Sequence, residues 1–82
     1  MFIQSNMTKL TKDISIGEGE TLDALSAIIG VEQGDKKIFD SALKSSYSNI
    51  FLSSNVNSND VTLSIKKILE EHASLAKYSA VI

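Results

Sequence analysis

Between two runs in which apolar residues recur every three or four positions, the chain carries Ser53-Ser54-Asn55-Val56-Asn57-Ser58-Asn59. Short polar side chains of this kind bond to neighbouring backbone and accept turn conformations, so they halt one helix and cap the next. The stretch from Asn49 to Glu71 therefore predicts a helical hairpin joined by Ser54, Asn55, Asn57 and Asn59. Asn59 or Ser58 is the expected N-cap of the second helix. Asp60 then places a negative charge in the first turn, where the helix dipole favours it.

Upstream of the loop, Ile38, Phe39, Ala42, Leu43, Tyr47, Ile50 and Phe51 fall at steps of one, three and four and form one broad apolar stripe. A continuous helix from Asp35 to Leu52 is expected, about 27 Å long at 1.5 Å per residue. Downstream, Val61, Ile65, Ile68, Leu69 and His72 repeat the pattern, with Lys66, Lys67, Glu70 and Glu71 outside it. Leu75, Tyr78, Ala80, Val81 and Ile82 remain compatible with a helix. Ser74 is positioned to cap a separate last helix, or the helix from Asp60 runs on unbroken. A connection this short favours an antiparallel pair.

The first twenty residues read differently. Ile14 and Ile16 alternate with polar neighbours, and Gly17 and Gly19 interrupt any period, so residues 1–20 are expected to be a flexible arm ahead of a helical domain spanning 21–82. That domain opens with a short helix in which Leu22, Leu25, Ile28 and Ile29 share a face. Thr21 is its expected cap and Gly30 its end. Gly34 or Asp35 is expected to open the next element.

At 82 residues the chain buries only about 60% of its unfolded surface. It has no cysteine and one histidine, so neither a disulfide framework nor a thiolate metal site can stabilise it, and oligomerisation is the usual remaining remedy. Each stripe of a two-helix hairpin covers only one side of its neighbour. A homodimer closing into a four-helix-like bundle is therefore expected, with the interface on Phe39, Leu43, Tyr47, Ile50, Phe51, Val61, Ile65, Ile68, Leu69, His72 and Leu75. The alternative is a monomer on which the Thr21 helix folds back as a lid. In the dimer reading, Ile65→Asp or Ile68→Asp should abolish dimerisation and activity together.

The chemistry-bearing residues do not assemble into a catalytic pattern. Histidine changes charge between about pH 5 and 8, so His72 at the stripe's edge suits a pH-sensitive contact. With no second histidine at ligand spacing it does not suit a metal site. Gly17-Glu18-Gly19 lacks the lysine and strand context of a phosphate loop. No catalytic residue, cofactor, metal or small-molecule substrate is expected, and the chain reads as a non-enzyme. It carries neither a secretory leader pattern nor a membrane-length apolar run, which points to the cytoplasm.

Ten acids against eight bases give a net charge of −2, and every base is a lysine. Sequence-specific DNA readers normally carry a basic face with arginine forks. DNA is therefore a secondary expectation, with Lys66 and Lys67 as weak candidates for phosphate contact.

The segment Asn49-Ile-Phe-Leu-Ser-Ser-Asn-Val-Asn57, then Leu63-Ser-Ile65, Ile68-Leu69-Glu70 and Lys77-Tyr-Ser-Ala-Val81-Ile82, resembles the YmgB/AriR family of small enterobacterial two-component-system connectors. The likeness runs from about Phe39 to Ile82. By position, Phe39, Ala42, Leu43, Ile50 and Leu52 match apolar sites before the loop, Asn55 to Asn59 match the loop, and Leu63, Ile65, Ile68, Leu69, Val81 and Ile82 match those after it. The resemblance implies an all-helical homodimer without catalytic residues, a cytoplasmic stress-response regulator. Its partners would be a sensor kinase or phosphotransfer protein of an Rcs-type phosphorelay, with effects on biofilm formation and acid resistance. Two other functions remain open: a DNA-associated transcriptional regulator, and a phage- or plasmid-encoded inhibitor of a host protein.

Overall fold

A computed structural model describes residues 2–53 and 55–81. The described residues form six α-helices and no strand: α1 (Phe2–Ser5), α2 (Met7–Ile16), α3 (Glu20–Ile29), α4 (Gln33–Ser45), α5 (Tyr47–Ile50) and α6 (Ser58–Glu71), followed by a 3-10 turn at Ala76–Tyr78. The all-helical class follows from the two stripes. Phe39 and Leu43 of α4, Ile50 of α5 and Val61, Ile65 and Leu69 of α6 are buried at spacings of four and seven, the period of a helix face.

The expected flexible arm is replaced by α1 and α2. Ile3, Leu10 and Ile14 join the same core cluster as the hairpin, and Met7 packs against it half-buried. Their spacing is four, three and four, a helical seam set among Gln, Ser, Asn, Thr and Lys side chains. Fully burying a leucine or isoleucine contributes about 1.5–3 kcal/mol, enough to hold a polar segment against the core. The core therefore extends across both sides of the boundary at residue 20.

This addition changes what the stripes need. Phe39, Leu43, Ile50, Val61, Ile65, Leu69 and Leu75 are all buried within one chain, covered by α1, α2, α3 and the C-terminal turn. They are core residues of the single chain. The Cα radius of gyration is 11.3 Å, against about 11.7 Å for a packed domain of this length. The accessible surface is 4925 Å2, close to the roughly 4,800 Å2 of a folded monomer of this mass. Seven of the eleven positions assigned to a partner are thus covered within the chain, in the manner of the lid alternative but with α1 and α2 contributing as well as α3, while Tyr47, Phe51 and Ile68 stay half-buried and His72 exposed.

Helix boundaries depart from expectation where serine or a tertiary contact intervenes. The long helix breaks at Ser46, whose φ and ψ are −100° and 10°, and α5 restarts at Tyr47. Serine hydroxyls compete for nearby backbone groups and so weaken the helix at this Ser45-Ser46 pair, while Ile50, seven residues beyond Leu43, stays on the core face. α4 starts at Gln33 with Glu32 as N-cap, ahead of Gly34 and Asp35. α6 is capped by Asn57 in place of Asn59 or Ser58. The Asp60 amide donates to the Asn57 side chain at 2.9 Å, and the Asp60 carboxylate accepts from the Asn57 amide at 3.2 Å, a reciprocal capping box. Ser54 and Ile82 lie outside the described residues.

Gly30 ends α3 as expected, in the left-handed conformation with φ 88°. At the other end of α3 the cap comes from elsewhere in the chain. The Asp13 carboxylate on α2 accepts hydrogen bonds from the Thr21 and Leu22 amides at 2.9 and 3.1 Å. Gly19 sits at φ 145°, and a Cβ there would collide with that carboxylate, so the close approach requires glycine. α6 stops at Glu71, His72 is extended, and the chain turns back so that Leu75 and Tyr78 are buried. The last element is thus a separate short turn and not a continuation of α6.

Candidate functional site

A concavity of about 770 Å3 runs between α1 and α2 on one side and α5, Ser53 and the start of α6 on the other. Its apolar lining is Met7, Tyr47, Phe51 and Val56, all half-buried. The Tyr47 and Phe51 rings pack 5.0 Å apart at 41°, a tilted aromatic pair one helical turn apart on the break after α4. Gln4, Thr8, Thr11, Ser53, Asn57 and Ser58 complete the lining.

Much of that polar edge is already engaged. The Thr11 hydroxyl donates to the Met7 carbonyl at 2.7 Å, the Ser53 hydroxyl accepts from the Asn55 amide at 3.2 Å, and Asn57 caps α6. The described lining contains no carboxylate, amine or imidazole. A surface of this composition recognises apolar, uncharged groups: the aromatic pair gives rigid area, and an unbranched methionine adapts its shape to what it meets. Leu52, 78% exposed, follows Phe51 in the loop.

The predicted site residues divide between core and surface. Tyr47 and Phe51 line this groove. Ile68 is half-buried and lines a smaller cleft with Ser46, Asn49, Ser64, Lys67 and Glu71, while His72 lies exposed at the α6 C-cap. Asn55, Asn57 and Asn59 are exposed, with only Asn57 in a capping role; Lys67 is exposed and Lys66 half-buried. Met7 and the threonines of α2 lie in the segment expected to be a flexible arm, and Val56 lies in the polar loop, so none of them is among the expected site residues. The sequence signal for the α2 side is the Ile3, Met7, Leu10, Ile14 seam.

Two charged clusters fasten the fold. Lys36 reaches Asp23 at 2.7 Å and Asp40 at 2.6 Å, tying α3 to α4, and the second Asp40 oxygen is buried without a partner among the described residues. Burial opposes the charge on Lys36, but the two carboxylates outweigh it and raise its affinity for the proton. At the C-terminal turn, the Tyr78 hydroxyl donates to Asp35 at 2.6 Å and accepts from the Glu32 amide at 3.1 Å. Lys77 lies 3.2 Å from Glu32 and 3.4 Å from Asp35. The Tyr78 hydrogen bond, helped by the positive charge of Lys77, holds the Asp35 carboxyl below its ordinary range. Burial, then the bond to Asp35, pushes the Tyr78 hydroxyl up.

Among the described residues, no group of three or more His, Cys, Asp or Glu side chains is placed to hold a metal ion, and no helix is long and apolar enough to cross a membrane. Fold and surface together define a small all-α protein that carries an uncharged, partly aromatic groove. Residues 1–79 match the family model described as "Protein of unknown function (DUF3015)", and the chain belongs to that family. No curated protein and no solved structure matches it.

Proposed function

We propose that this chain is a small non-enzymatic regulatory adaptor that works by protein–protein contact, with the α2–α5 groove as its docking surface for an apolar, uncharged segment of a partner. The observation that carries the reading is the Tyr47–Phe51 pair, left half-exposed beside Met7 and Val56. A fold this small that buries Phe39, Leu10, Leu22, Leu43, Leu69 and Leu75 completely leaves aromatic area wet where another surface is to cover it, since partly exposed aromatics are the usual anchors of interfaces. The resemblance of residues 39–82 to the YmgB/AriR connectors supports a more specific role, modulation of an Rcs-type phosphorelay that governs biofilm formation and acid resistance. The ion pairing of Lys36 and Lys77 with acids leaves less free positive charge for phosphate, which favours protein over DNA as the partner.

A phosphorelay-dependent transcription reporter, in an enterobacterial host with and without the sensor kinase, tests the specific role. The expected result is a response to this chain that disappears with the kinase. An unchanged reporter with abundant, folded protein refutes the connector role. Val56→Asp and Met7→Lys place charge in the groove and should abolish the response while leaving the far-ultraviolet circular dichroism intact. Full activity in both folded variants would refute the groove as the docking surface.

A further inference from the structure

We propose that the shallow groove between α4 and the turn after α6 is a second docking surface, which takes an acidic segment of a partner protein carrying an apolar side chain. The groove is open, with a volume of about 390 Å3, and is lined by Lys37, Ile38, Ser41, Ala42, Ser45 and His72. On α4 these positions advance by four, so they stack along one strip of the helix. Ile38 and Ala42 are half-buried and make an apolar floor, and the exposed hydroxyls of Ser41 and Ser45 run beside it. Lys37 stands at the N-terminal end. Across the strip lies exposed His72, the C-cap residue of α6, whose imidazole carries a ring N–H able to donate to a ligand.

Charge identifies the occupant. The chain has ten acids against eight lysines, yet no carboxylate is among the lining residues of this groove. Two adjacent lysines make the point. Lys36 is consumed by Asp23 and Asp40, whereas Lys37 has no ion pair among the described residues and is exposed. A partner carboxylate at Lys37, with serine and imidazole donors further along and an aliphatic side chain on Ile38 and Ala42, matches the groove in charge and in polarity. The volume lies at the small end of ligand sites, the scale of a short peptide segment. No lining residue is shared with the larger uncharged groove, so the two faces select partners of different chemistry. The inference deepens the adaptor reading, but direct binding tests it without reference to any host pathway.

The full chain, labelled with nitrogen-15, is titrated with a short synthetic peptide alternating Glu and Leu, with its Gln and Leu counterpart, and with a duplex DNA oligonucleotide. The acidic peptide should shift amides of Lys37, Ile38, Ser41, Ala42, Ser45 and His72, and should bind about tenfold tighter than the Gln peptide, a difference of about 1.4 kcal/mol. Lys37→Glu, at an exposed position, should remove that preference without lowering the melting temperature, and Val56→Asp in the other groove should leave it unchanged. Absence of binding, equal affinity for the two peptides, or shifts centred on other lysines would overturn the proposal. Tighter binding of DNA at the same amides would overturn it in favour of a polyanion site.

Discussion

The helix starts of α3 and α6 are satisfied by the same chemistry drawn from different places. At α6 the donors are met locally, by Asn57 and Asp60 three residues apart. At α3 they are met by Asp13, eight and nine residues away on a different helix. A local cap forms whenever its own few residues turn, so α6 can begin alone. The start of α3 is complete only once α2 is docked and Gly19 has let the Asp13 carboxylate approach. Within one small core, then, one end is organised by sequence neighbours and the other by tertiary contact.

The largest expected effect asks whether the hairpin and the N-terminal helices share one core. Ile65→Asp puts a charge at a fully buried position touched by that core, and should cost at least about 4 kcal/mol. Thermal melts monitored by circular dichroism should show no cooperative transition, and a folded but dissociated monomer would restore the dimer seam. Next, Leu10→Ala on α2 should cost about 2–5 kcal/mol, because a buried leucine leaves a cavity. It should also raise hydrogen exchange at the Thr21 and Leu22 amides. An unchanged melt would return residues 1–20 to the status of an arm.

The two caps themselves give a sharper contrast. Asp13→Ala should destabilise by about 1–2 kcal/mol and Asn57→Ala by about 1 kcal/mol, the range for lost helix caps. Exchange should rise at the start of α3 in the first variant and at Asp60 in the second. Equal and purely local effects would dissolve the distinction between the two ends.

The smallest effect concerns the C-terminal turn. Asp35 is held below its ordinary range by the Tyr78 hydroxyl first and by Lys77 after it. Its folded value is depressed, so its stabilising contribution is present above the unfolded carboxylate value near pH 4. The contribution is lost as pH falls through the lower folded value. Melting temperatures measured between about pH 5 and pH 2 should decline less steeply in Tyr78→Phe than in the parent chain; parallel curves would show that the hydrogen bond does not tune Asp35.

Residues with strong periodicity were readable in advance. Phe39, Leu43, Val61, Ile65 and Leu69 announce their helices, Gly30 announces the end of α3, and Asp60 announces the start of α6. The seam Ile3, Met7, Leu10, Ile14 has the same period but is diluted by polar neighbours and followed by two glycines, so its helical signal is weak in the sequence. The Met7 side of the groove shares that weakness. The Tyr47 and Phe51 positions were found as interface candidates because aromatics on a stripe edge are visible in a sequence, whereas the opposing wall depends on how α2 packs.

The amino-acid order alone determined that this chain is helical, where its polar loop falls and which faces are apolar, because periodicity and turn chemistry act over a few residues. Only the tertiary structure decided what covers those faces, that α2 supplies the cap of α3, and which aromatics stay half-exposed. Each of these depends on contacts between residues distant in the chain, for which local spacing carries no signal.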